Sequence, residues 1–151
     1  MLKRFLDALS PANTATPETP TPDRVPLATC VILLEAAHID DEFTEEERKH
    51  IFSVLKSRYS LTDDEVNELM STANQARENA TDLWKFTHQI NTTYAHEEKL
   101  AILDEVWRIF YSDGELDGNE DHLAHKLQNL LNLNHKQLID SKLKILKEVR
   151  G

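Results

Sequence analysis

Residues 27–151 contain no proline, and before the terminal Gly151 their only glycines are Gly114 and Gly118. Proline and glycine are the residues that break elements and punctuate turns, so a run this long without them is committed to helix. All five prolines, Pro11, Pro17, Pro20, Pro22 and Pro26, fall in the first 26 residues. The expected fold class is therefore all-α. A single compact domain of about seven helices occupies 27–151, and a short helix with a Pro/Thr-rich linker occupies 1–26. An apolar content of 40% in 151 residues suffices for one core.

In the arm, Leu2, Phe5, Leu6 and Leu9 stand at helical spacing, but a segment this short is not stable alone. It can dock on the core, fray, or touch a membrane surface with Lys3 and Arg4. Pro11–Pro26 has no hydrophobic period and reads as an extended linker. The first core helix is expected from a cap at Asp23, with Pro26 in its first turn and a stripe of Leu27, Cys30, Val31, Leu34 and Ala37.

Capping boxes mark the later starts: Thr44 with Glu47, Thr62 with Glu65, Asp117 with Glu120, and Asn134 with Gln137. Leu61 with Val66 and Leu133 with Leu138 are placed as hydrophobic staples. Thr81 or Asp82 is expected to open a fourth helix, and Thr93 to cap a fifth carrying Leu100, Leu103, Trp107 and Phe110. Trp84, Phe86, Trp107, Phe110 and Tyr111 are expected in the core.

Two acidic corners repeat. His38-Ile39-Asp40-Asp41-Glu42-Phe43-Thr44 leads to Glu47, and Tyr111-Ser112-Asp113-Gly114-Glu115-Leu116-Asp117 leads to Glu120. Asp40/Asp113, Glu42/Glu115, Thr44/Asp117 and Glu47/Glu120 stand at one constant offset, and the stapled helices that follow correspond at an offset one residue shorter. The chain thus holds two copies of a unit: helix, acidic corner, capped helix, stapled helix.

The formal net charge is −10, and it resides in 27–151, because acids and bases balance in residues 1–26. Such a surface repels phosphate backbones, which excludes nucleic acid as the expected partner and favours cations or a basic or membrane-associated protein. The lone Cys30 cannot form an internal disulfide and is expected as a small core residue in a reducing compartment. No apolar run reaches the roughly 20 residues of a membrane span, and no signal-peptide pattern is expected at the start. No phosphate-binding glycine loop and no nucleophile elbow occurs, so no enzyme is expected.

Ca²⁺, Mg²⁺ and Mn²⁺ take carboxylate and carbonyl oxygens. Each corner offers an Asp where helix-end carbonyls are unsatisfied, a Glu two residues on, and a carboxylate at the next helix start. Acids at helix starts also serve as caps and offset the dipole, which accounts for Glu47, Asp117 and Glu120 better than for Asp40, Glu42, Asp113 and Glu115. An EF-hand fits at Asp113, Glu115, Asp117 and Gly118 but fails where Glu120 replaces an apolar residue and Ala124 replaces the bidentate Glu. Glu35/His38 and Glu47/His50 have the spacing of di-iron ligands, on helices too short for that architecture. A Zn²⁺ site around Asp121, His122 and His125 ranks behind the hard cations.

The segment Trp107-x3-Tyr111-Ser112-Asp113-Gly114-Glu115-Leu116-Asp117-x2-Glu120-x-His122-Leu123, the following Leu130-Leu131-x-Leu133, and Asp82-Leu83-x2-Phe86-Thr87-x2-Ile90-Asn91 resemble the TerB-like family of bacterial tellurite resistance, over roughly Leu27 to Leu146. The resemblance implies a compact helical domain of duplicated origin, a cytoplasmic setting, and divalent-metal binding at Asp40, Glu42, Asp113 and Glu115, joined by Glu47 and Glu120. Ser112 stands where the family commonly has alanine, and Asp41 where the second corner has Gly114. The expected function is a non-enzymatic cytoplasmic module, at most peripheral to the inner membrane. It binds divalent cations at residues 40, 42, 47, 113, 115, 117 and 120, in a metal, tellurite or envelope stress response. The alternative is an ion-free interaction scaffold with an acidic face.

Overall fold

The computed structural model describes residues 24–39, 43–113 and 116–150, with Asp113 described by its backbone alone. Among these residues there are seven α-helices and no strand: α1 (Arg24–His38), α2 (Glu45–Tyr59), α3 (Asp63–Asn79), α4 (Trp84–Thr93), α5 (His96–Phe110), α6 (Gly118–Leu130) and α7 (His135–Arg150). A 3-10 turn, Tyr111–Asp113, follows α5. The expected cap at Asp23 lies outside the described residues, as do the arm and most of the linker.

The organising helix is α1. The sequence predicts an apolar stripe on it. The structure instead buries it on nearly all sides, from Val25 through Leu34 and again at Ala36 and Ala37. A helix apolar all round belongs at the centre of a domain, and α1 packs against α2, α3, α4 and α5. Cys30 is fully buried there, and burial pushes its thiol far above the ordinary range, which makes it an inert packing residue.

The duplication extends to the packing. α1 packs on α2 and α3, which pack on each other, and α5 repeats this with α6 and α7. The two first helices, α1 and α5, meet, and α4 bridges α1 and α6. The turns match as well. Ser60 ends α2 at φ 53°, ψ 49°, and the Leu61 N–H donates back to the Lys56 carbonyl at 3.1 Å. Asn132 follows α6 at φ 57°, and the Leu133 N–H donates to the Gln128 carbonyl at 2.9 Å. Both are left-handed closures that satisfy orphan carbonyls at a helix end.

The predicted boxes form. Thr62 and Glu65 bond reciprocally, as do Asn134 and Gln137 at 2.9 and 2.8 Å. Leu61, Val66, Leu133 and Leu138 are all buried. Two starts differ from expectation. Thr93 ends α4 rather than capping α5, whose first turn is preceded by Ala95; only the Glu98 carboxylate reaches back, accepting from the Ala95 N–H at 3.1 Å. Asp82 lies one residue before the N-cap position Leu83 and accepts from the Trp84 N–H at 2.9 Å. Trp84 is a further correction: it is 52% exposed and stacks on His88, whereas Phe86, Trp107, Phe110 and Tyr111 are in the core as expected.

One polar network crosses three helices. His50 Nε2 of α2 lies 3.0 Å from Glu105 Oε1 of α5; Arg108 of α5 reaches Glu105 at 2.9 Å and Glu148 of α7 at 2.7 Å. Burial pushes the Glu105 carboxyl up, but hydrogen bonds from His50 and Arg108 outweigh it and hold the group below its usual 4.5. A carboxylate depressed in the folded state contributes stability above its unfolded pKa, near 4.5, and that contribution is lost as pH falls through the lower folded value. Glu105→Gln is therefore expected to cost about 1 kcal/mol at neutral pH. Urea denaturation of both proteins across the acid range is expected to show the difference shrinking below pH 4.5. A difference independent of pH would contradict this.

Candidate metal corners

The first corner leaves α1 at His38. Its ring Nδ1 is 2.7 Å from the Leu34 carbonyl, and its ring centroid is 4.5 Å from that of Phe43. Across the bend, Thr44 opens α2. Its N–H and its Oγ1–H both donate to Glu47 Oε1, at 2.9 and 3.0 Å, while the Glu47 N–H donates to Thr44 Oγ1 at 3.1 Å. Glu47 is buried by this role and by its place on the inner face of α2.

The second corner leaves α5 through the 3-10 turn, where the Ser112 hydroxyl donates to the Ile109 carbonyl at 2.7 Å. Asp117 then caps α6. Its Oδ1 accepts from the Glu120 N–H at 2.8 Å, and Glu120 Oε1 accepts from the Asp117 N–H at 3.1 Å. Glu120 is buried at 4% exposure, and Asp117 is exposed. The two corners therefore share a register: a side-chain cap, a buried Glu at N3, and closure of the helix start by one carboxylate oxygen.

Of the seven residues expected to hold a metal, Glu47, Asp117 and Glu120 are placed, and each works as a helix cap. Asp40, Glu42 and Glu115 lie outside the described residues, as does the side chain of Asp113. No group of three or more His, Cys, Asp or Glu that could hold a metal occurs among the described residues. The donor chemistry at Glu47 and Asp117 is that of a hard-cation ligand. Both are carboxylates, neither is ion-paired among the described residues, and Glu47 spends Oε1 on both Thr44 donors, leaving Oε2. The Glu-x-x-His spacings are used otherwise: Glu35 meets Arg77 at 3.4 Å and His50 meets Glu105. His125 lies 3.6 Å from Asp121, and its ring stacks near His135 at 5.9 Å.

Two buried polar anchors had no signature in the sequence. Lys99 of α5, 4% exposed, donates to the Leu131 carbonyl at 2.7 Å and to Asn91 Oδ1 at 3.2 Å. Asp104 of α5 accepts from the Ser141 hydroxyl at 2.5 Å and from Lys144 at 2.8 Å, tying α5 to α7. A helical period marks such positions only as interruptions of an apolar face, and their partners lie far off in the chain.

No helix of the described residues is long and apolar enough to cross a membrane. Comparison with curated proteins and with solved structures finds no match. The family model described as tellurite resistance protein TerB matches residues 26–143, a span that includes both corners and all of α2 to α6. With a helical fold, a duplicated packing pattern and this match over most of its length, the chain belongs to the TerB family.

Proposed function

We propose that this chain is a non-enzymatic cytoplasmic module that binds divalent cations, Ca²⁺, Mg²⁺ or Mn²⁺ ahead of Zn²⁺, at its two acidic corners. The binding would serve a metal, tellurite or envelope stress response. The observation that carries the reading is the shared register of the corners: Thr44/Glu47 and Asp117/Glu120 close their helix starts in the same way. The carboxylates Asp40, Glu42, Asp113 and Glu115 precede them at matching positions in the sequence. Rigid caps beside clustered acids are what an oxygen-donor site for a hard cation requires. Glu47, Asp117 and Glu120 hold the bend, and the four acids before them supply the charge.

An NMR and calorimetric titration with Ca²⁺, Mg²⁺, Mn²⁺ and Zn²⁺ tests this. Saturable shifts are expected at residues 40–47 and 113–120, with affinity reduced about tenfold or more in Asp113→Asn. A flat titration across both segments refutes it. That result favours the second reading, an interaction scaffold for a basic or membrane-associated protein. A specific observation supports the scaffold: α7 leaves Leu143 and Val149 54% and 47% exposed, on a chain of net charge −10.

A further inference from the structure

Away from the corners, a cavity of about 460 Å³ opens between the start of α1, the end of α3 and the first turns of α4. Leu27, Ala28, Ala76 and Phe86 give it an apolar floor, all of them buried. Gln89 also lines it. That side chain is only 4% exposed, and its amide oxygen is buried with no hydrogen-bond partner. A buried amide oxygen without a partner is rare and is satisfied only by a donor, so Gln89 walls the cavity without holding an anion. The charges at the rim reverse the sign of the protein as a whole. Arg24 and Lys85 lie there with the single acid Asp82, while the chain carries −10. Asp82 is engaged by the Trp84 N–H, and neither cation is ion-paired among the described residues.

We propose that this cavity binds a small amphipathic monoanion, an apolar chain of moderate length ending in a carboxylate. The chain lies over Leu27, Ala28, Ala76 and Phe86, and the carboxylate meets Arg24 and Lys85. The volume falls in the range of small-molecule sites, and the mixture of apolar floor and few polar groups is their usual composition.

The test is NMR titration of the full chain with decanoate, with decanol and decyltrimethylammonium as neutral and charge-reversed controls. Saturable shifts are expected at Leu27, Ala28, Phe86 and Gln89, with decanoate binding at least about tenfold more tightly than either control. Gln89→Leu is expected to raise the melting temperature, by removing an unpartnered buried oxygen, and to leave decanoate binding unchanged. Lys85→Glu, at an exposed position, is expected to weaken decanoate and leave decanol unchanged. Three outcomes would overturn the proposal: no saturable shift at these residues, equal binding of the cationic control, or movement of the cavity resonances by Phe5→Asp without any probe. The last would make the N-terminal arm of this chain the occupant.

Discussion

Trp107→Ala is expected to cost about 3–5 kcal/mol, the largest effect of any single substitution considered for this protein. Trp107 is fully buried in α5. It meets Phe110 edge-on at 5.8 Å and Tyr111 in a stacked arrangement at 6.1 Å, and Lys142 Nζ lies 5.7 Å from its ring centroid. Truncation removes the largest side chain of the core and leaves a void that close-packed helices fill only in part. Set against a total stability of roughly 5–15 kcal/mol, the loss is expected to lower the melting temperature by about 10 °C or more. Trp107→Phe is the informative control. The indole Nε1 is buried with no hydrogen-bond partner, so phenylalanine removes an unsatisfied donor along with part of the volume. Its cost is expected to be about half that of alanine, or less. Urea denaturation of the three proteins decides it, and a Trp107→Ala loss under about 1 kcal/mol would mean the core is far more plastic than its burial implies.

The second large effect is expected at Lys99. Its ammonium satisfies the Leu131 carbonyl at the end of α6 and the Asn91 side chain, and Asn91 itself donates to the Leu130 carbonyl at 2.7 Å. One buried cation from α5 and one amide from α4 together close the C-terminal end of α6, where carbonyls have no partner within the helix. Lys99→Met keeps the aliphatic stem and removes the donors, and is expected to cost about 1.5–3 kcal/mol. Burial lowers the Lys99 pKa below its usual 10.5. The folded chain therefore releases this proton at a lower pH than the unfolded chain. The stability attributable to Lys99 itself rises as pH climbs from the folded value toward 10.5, because the unfolded state holds the extra proton in that window. Amide hydrogen exchange at Leu130–Leu133 separates this account from a general loss of packing. Local opening there in Lys99→Met, ahead of the rest of α6, is expected, and uniform loosening of the whole protein would contradict it.

These two residues also mark how far the sequence reaches. Helical content was legible because residues 27–151 lack proline, and the starts of α2, α3, α6 and α7 were legible because a capping box is an interaction between residues three apart. Duplication of the unit followed from the same local signals, and Ser60 and Asn132 bear it out at matching turns. Thr93 misled because a good capping residue was outcompeted by a turn two residues later.

What the tertiary structure alone decided is what depends on distant pairs. Trp84 and Trp107 have the same apolar side chain at helical spacing, yet one stacks on His88 in solvent and the other fills the core. That outcome depends on which face of α4 and of α5 meets α1, and no local period records it. The same holds for Lys99 against Leu131, Asp104 against Ser141, and the Gln89 cavity framed by α1, α3 and α4. Short-range hydrogen bonds are written in neighbouring residues, whereas burial, orphaned polar atoms and cavities arise only when separate helices are brought face to face.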